Sequence, residues 1–226
     1  MKYFLDSADF AVIADALAKF PLDGVTTNPA ILARDLPNDR TLSEGLRYIR
    51  YLVGDRLLFV QATASDSDGM VRDAHKICET LGGKLSIKLP ATRDGYTAAK
   101  RLTSEGISVT MTAVYSTSQA MLAGACGADF AAPYISHIDN LSEDGSAVAS
   151  EMARRLAFHE MPTQVLAASF RTASQVERCI AGSVTAVTVT ADMLDALCSH
   201  PGTVAEVNSF NKKWSARFTE NMSDML

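Results

Sequence analysis

The chain has 226 residues, 47% of them apolar and 21% charged, the proportions of a soluble globular protein. Against a typical domain of roughly 150 residues this is one large domain or two small ones, and a chain of this length buries about 70% of its unfolded surface without a covalent staple. Its 21 basic and 26 acidic residues leave a net charge of −5, which argues against a nucleic-acid protein, since no basic surplus exists to displace counterions from phosphates.

Four cysteines (Cys78, Cys126, Cys179, Cys198) stand far apart with no C-x-x-C pair, the usage of reduced intracellular thiols rather than of a disulfide framework or a zinc site. Asp6 interrupts any apolar leader before it begins, and no apolar run approaches the ~20 residues of a membrane span. The expected setting is the cytoplasm, with no membrane partner.

Eight short β-branched or apolar runs alternate with helical patterns along the chain. Tyr3–Asp6 comes first, before a helix over Ala8–Lys19 that Asp6 or Ser7 can cap and Pro21 closes. Gly24–Thr27 leads into Asn28 and Pro29, a cap followed by proline at the first helical position. Leu57–Thr63 precedes a helix over Asp68–Leu81 that Gly82 and Gly83 stop. Four further pairs follow: Leu85–Leu89 with Arg93–Glu105, Ser108–Thr112 with Ser116–Cys126, Asp129–Pro133 with Ser146–His159, and Gln164–Ser169 with Ala173–Ala181. Ala186–Thr190 with Ala191–Ser199 completes the series. The strand starts lie 21 to 35 residues apart, the length of a βα unit, and most runs are apolar throughout, as when both faces of a parallel sheet are covered.

Eight βα units without a composition break predict a (β/α)8 barrel over residues 1–199, with an open doubly wound sheet as the alternative. No glycine-rich phosphate loop follows any strand, so nothing specific favours a nucleotide-binding sheet. In the remaining 27 residues, 200–226, Val204, Val207, Phe210, Trp214 and Phe218 form a helical apolar stripe. It packs under its own barrel or docks on a neighbouring subunit.

Barrel enzymes carry their chemistry at the C-terminal ends of the strands. Here those ends bear Asp6, Thr26, Asn28, Gln61, Lys88, Thr112, Tyr134, Ser169, Arg171, Thr188 and Thr190. Lys88 interrupts an apolar strand; if it faces the interior, lost hydration lowers its pKa and leaves a neutral amine that condenses with a ketone. The bland alternative is a lysine that snorkels to solvent. Asp6 is either a helix cap or a carboxylate that exchanges a proton with a substrate hydroxyl. Histidine spacings suited to a metal are absent, as is a G-x-S-x-G elbow, which leaves carbonyl chemistry through a lysine.

The segments Leu5-Asp6-Ser7, Gly24-Val25-Thr26-Thr27-Asn28-Pro29, Ile87-Lys88-Leu89-Pro90, Thr112-Ala113-Val114-Tyr115, Ala132-Pro133-Tyr134 and Ala167-Ala168-Ser169-Phe170-Arg171 resemble the small transaldolase and fructose-6-phosphate aldolase family, over essentially the whole chain. The resemblance implies a cofactor-free class I aldolase in which Lys88 forms the Schiff base and Asp6 handles the hydroxyl proton. It further implies that Thr26, Asn28 and Ser169 hold donor hydroxyls and that Arg171 holds the phosphate. Gln61, Thr112 and Tyr134 match the aldolase subgroup, where they control the water that protonates the product; transaldolases carry glutamate and phenylalanine at the positions of Gln61 and Tyr134. The sequence departs at His137, where the family has a second phosphate-binding arginine. The family assembles as pentamers and decamers through its C-terminal helix, which favours docking of the 204–218 stripe on a neighbour. The alternatives are a transaldolase and a sugar-phosphate binding barrel without catalysis.

Overall fold

In the computed structural model, which describes residues 1–225, eight parallel strands close into a barrel. They are β1 (Lys2–Asp6), β2 (Gly24–Thr26), β3 (Leu57–Gln61), β4 (Leu85–Pro90), β5 (Val109–Val114), β6 (Phe130–Pro133), β7 (Gln164–Ala167) and β8 (Ala186–Val189). Each pairs with the next, and β8 returns to β1 in the register Lys2↔Ala186 to Leu5↔Val189. That closure decides for the barrel over the open sheet.

Helices ring the barrel: α1 (Phe10–Lys19), α2 (Pro29–Asp35), α3 (Leu42–Val53), α4 (Ser67–Leu81), α5 (Arg93–Ser104), α6 (Thr117–Ala125), α7 (Ile135–Asp139), α8 (Gly145–Phe158), α9 (Ala173–Ala181) and α10 (Ala191–Cys198). Beyond them lie α11 (Pro201–Ser215) and α12 (Met222–Met225). Three of these, α3, α7 and α12, have no counterpart in the sequence reading. In α3 the start is a capping box, Thr41 with Glu44, whose side chains and backbone amides bond reciprocally. The cap of α1 is neither Asp6 nor Ser7 but Asp9, whose Oδ1 accepts from Val12 N at 2.9 Å.

Strand ends differ from the apolar runs wherever a side chain captures the backbone. The run Leu57–Thr63 leaves the sheet after Gln61, because Thr63 N turns to Asp73 Oδ2 at 2.9 Å. The seventh run leaves its strand at Ala167, before Ser169 enters the left-handed region at φ 60°. The fifth, by contrast, runs on to Val114 through a bulge, with Ala113 at φ 53° and the β6 pairing shifting between Met111 and Val114.

Alternation along the strands sorts the side chains into two layers. Leu5, Val25, Leu58, Val60, Ile87, Leu89, Met111, Val165 and Val187 face the helices and join one continuous core. Phe4, Phe59, Phe130, Leu166 and Ala186 instead pack together in a separate apolar cluster. Its three rings meet edge to face, Phe4 to Phe59 at 5.0 Å and Phe59 to Phe130 at 5.3 Å between centroids. This cluster plugs the barrel interior, so the interior positions one pleat repeat further along the strands open upward. Gly24 is required where β2 meets β3, since a Cβ there would stand 1.9 Å from the Leu57 carbonyl oxygen.

Candidate active site

Two residues beyond Phe4 and Phe59 on the same strands are Asp6 and Gln61, and two residues beyond Ser86 and Thr110 are Lys88 and Thr112. Period-two alternation therefore puts a polar layer directly above the apolar plug. A cavity of about 410 Å3 opens over it, a size suited to a small-molecule ligand. Asp6, Thr26, Asn28, Lys88, Thr112, Tyr134, His137 and Ser169 all line it.

Lys88 is 6% exposed and points into the barrel, where its Nζ donates to the Thr27 carbonyl oxygen at 2.7 Å. Burial pushes its pKa below the usual lysine range, and the Asp6 carboxylate partly opposes that. The snorkelling alternative does not hold, because the amine reaches no solvent-facing rim. Asp6 shows the mirror image: burial raises its pKa, while Lys88 and a hydrogen bond from Thr26 pull it back. Thr26 Oγ1 donates to Asp6 Oδ1 at 2.7 Å, so its lone pair accepts from Thr188 Oγ1 at 2.6 Å. This chain of hydroxyls fixes the carboxylate without neutralising it.

Across the cavity, the Tyr134 hydroxyl meets Thr112 Oγ1 at 3.0 Å. The β5 bulge at Ala113 follows directly on Thr112, and the backbone of Tyr134 bridges to Ala168 of the neighbouring chain segment. Burial raises the Tyr134 pKa, so the phenol stays protonated through the neutral range. Ser169, held at φ 60°, shares a hydrogen bond with Ser136 at 2.9 Å between hydroxyls. A serine in that conformation costs energy that the surrounding packing must supply, which is common where a side chain is aimed at a ligand.

The structure does not bring every sequence candidate to the cavity wall. Asn28 lines it but spends its Oδ1 on capping α2, accepting from Ile31 N at 2.9 Å. Gln61 stands beside Lys88 in the β3–β4 register yet is not among the lining residues. Arg171 is turned aside, its Nη1 donating to Asn140 Oδ1 at 3.1 Å. His137, on α7, lines the cavity and shares a hydrogen bond between its Nδ1 and the Tyr115 hydroxyl at 3.2 Å. Sequence reasoning missed Arg34 of α2, which lines the same cavity. The signal was available in the spacing of three from Asn28 through Ile31 to Arg34, which keeps all three on one helical face.

Taken together, the closed barrel and the polar layer at its mouth define a (β/α)8-barrel enzyme. The family described as Transaldolase/Fructose-6-phosphate aldolase matches residues 3–226, and the chain belongs to it. It is 34% identical over 215 residues to "Probable fructose-6-phosphate aldolase" from Streptococcus pneumoniae, covering 95% of this chain and 96% of that relative. Among solved structures it resembles two mutants of flavocytochrome b2, with TM-scores of 0.58 and 0.57 at 11% and 14% identity. Those alignments cover 84% of this chain and 56% of the larger proteins, and the likeness is one of fold. Among the described residues, no helix is long and apolar enough to cross a membrane.

Proposed function

We propose that this enzyme is a class I aldolase that cleaves and forms a fructose 6-phosphate-like ketose through an imine on Lys88. The observation that carries the reading is the Lys88 amine itself, buried at the cavity floor with its pKa lowered by desolvation. A neutral amine attacks the C2 carbonyl of the ketose, and loss of water leaves the imine. Protonated, this is an electron sink. Asp6 takes the proton of the C4 hydroxyl as the C3–C4 bond breaks; the aldehyde departs and the bonding pair becomes an enamine on the donor carbons. Thr26, Asn28 and Ser169 hold the donor hydroxyls, and His137 stands toward the phosphate end, which Arg171 joins only by turning away from Asn140.

Tyr134, with Thr112 and Gln61, governs the water that protonates C3 of the enamine. Hydrolysis of the resulting imine then returns dihydroxyacetone and the free amine. The Tyr134–Thr112 hydrogen bond favours release over transfer, because it places a phenolic proton donor beside the cavity where a phenylalanine ring would have none. The chemistry asks for no cofactor. Borohydride reduction with dihydroxyacetone, followed by peptide mass spectrometry, is the direct test: a stable adduct on the Lys88 peptide is expected, and folded protein without one would refute the imine.

The same reading places the enzyme in the cytoplasm, in keeping with cysteines that are free among the described residues. It also divides the chain into a catalytic barrel over residues 1–199 and a docking helix over residues 200–226. On α11, Val204, Val207 and Phe210 lie exposed on one side and none of the helix's residues is buried, which supports packing against a second copy in a homo-oligomer.

A further inference from the structure

We propose that Arg34 is the specificity-determining cation of the cavity, gripping the phosphate of the acceptor aldehyde from the α2 wall. The inference rests on the aldolase reading for the identity of the acceptor. Among the described residues lining the cavity, Arg34 is the one guanidinium; Lys88 is held at the floor, and Arg171 does not line the cavity. Asn28, Ile31 and Arg34 follow one another along one face of α2, so the helix carries the charge from the donor end of the site up to its mouth.

The guanidinium is already oriented. Its Nε and Nη2 both donate to the Asp35 carboxylate, which is only 10% exposed and accepts in turn from Ala8 N at 3.3 Å. Two of the five guanidinium N–H groups are thereby used, and three remain for a ligand. Holding the fork in place beforehand reduces the side-chain entropy lost when an anion binds. Asp35 also offsets the charge while the cavity is empty.

Position selects the acceptor end. Arg34 lines the cavity together with Asp6, and Asp6 attends the hydroxyl of the carbon that leaves with the aldehyde. Arg34 also borders a neighbouring groove of about 340 Å3, shared with Asp6 and Thr190. That groove is lined by Asp9, Asp35 and Asp192, which repel an anion. The phosphate is therefore directed to the cavity side of the guanidinium, where planar two-point bonding to phosphate oxygens is available.

The test compares kcat/KM for glyceraldehyde 3-phosphate with that for glyceraldehyde, dihydroxyacetone being the donor, in the full chain. In Arg34→Ala the ratio should fall by about tenfold or more, through KM, as expected for loss of a charge-assisted hydrogen bond. Arg34→Lys should recover part of it, and Arg47→Ala on the remote face of α3 should keep the wild-type ratio. A ratio within twofold of wild type in folded Arg34→Ala would overturn the proposal. So would a ratio restored in Arg34→Ala/Asp35→Asn, which would assign the loss to an unmasked carboxylate. Should Arg34→Ala not fold, Arg34→Gln keeps a donor for Asp35 without the charge, and the same ratio is read there. Calorimetric titration with inorganic phosphate separates this proposal from the aldolase reading: weaker binding in Arg34→Gln supports the grip even in a protein that traps no imine, and equal binding overturns it.

Discussion

The Nζ of Lys88 donates to the Thr27 carbonyl oxygen at 2.7 Å, so the barrel holds its buried amine by an uncharged acceptor rather than by a carboxylate. Thr27 is free to offer that oxygen because its own amide and hydroxyl both go to Phe59 O, which ties the end of β2 to β3. A carbonyl orients the amine while giving the ammonium far less stabilisation than an ion pair would.

From this follows a pH dependence with a defined sign. Burial lowers the Lys88 pKa from the usual 10.5, and Asp6 raises it. Labelling of Lys88 by a small acylating reagent, read by peptide mass spectrometry, should therefore rise with pH and level off at an inflection below 10.5. Asp6→Asn removes the negative charge that favours the ammonium, so its inflection should lie lower still. An inflection that moved upward in Asp6→Asn would show that the two groups do not act on each other's charge.

The hydroxyl pair on the far wall separates release from transfer. Gln61→Glu combined with Tyr134→Phe removes the phenol from Thr112 and puts a carboxylate beside Lys88 in the β3–β4 register. With fructose 6-phosphate as donor and erythrose 4-phosphate as acceptor, the double variant should form less free dihydroxyacetone and more transferred ketose, by about tenfold in the product ratio if one proton-donor function is lost. An unchanged ratio would remove Tyr134 from the control of the product water.

At the mouth, His137 lines the cavity and is held by the Tyr115 hydroxyl. His137→Arg places a permanent cation there, and the KM for glyceraldehyde 3-phosphate should fall severalfold while that for glyceraldehyde stays nearly constant. A KM for the phosphorylated acceptor that is unchanged or higher would show that the imidazole does not face the phosphate.

Much of this was legible in the sequence, for physical reasons that also explain the gaps. Strands buried on both faces read as apolar runs, so all eight were visible, and Lys88 stood out because a charge inside such a run needs a reason. Asp6 was ambiguous because a carboxylate at a strand end also suits a helix cap; only the fold shows Asp9 taking the cap and Asp6 facing inward. Arg34 escaped notice because a neighbouring Arg–Asp pair on a short helix looks like a solvated surface pair. Arg171 and Gln61 show the converse, since a position in a chain does not fix where a long side chain turns. Helix α7 was hidden by its five-residue length, too short for a periodicity to register.

Gly24 offers a test of the barrel closure on which the site depends. A methyl group at this position would overlap the Leu57 carbonyl oxygen, and backbone in a closed sheet cannot move aside without disturbing its neighbours. Gly24→Ala should lower stability by about 3 kcal/mol, in the range of overpacked cores. Urea unfolding followed by circular dichroism measures this; a midpoint equal to wild type would mean that β2 and β3 separate more readily than the register implies.

The C-terminal helix bears on assembly. Val204, Val207 and Phe210 are 51%, 47% and 58% exposed, and their spacing of three puts them on one side of α11. Three large apolar side chains in a row on a helix with no buried residue lose their contact with water only by meeting another surface. A chain of 24.2 kDa should therefore elute as an oligomer in size-exclusion chromatography with light scattering. Val207→Asp/Phe210→Asp should shift it toward monomer while leaving the far-ultraviolet circular dichroism unchanged, because neither position contributes to the barrel core. Wild type at the mass of one chain, or a double variant at the wild-type mass, would detach α11 from assembly and return its apolar face to solvent.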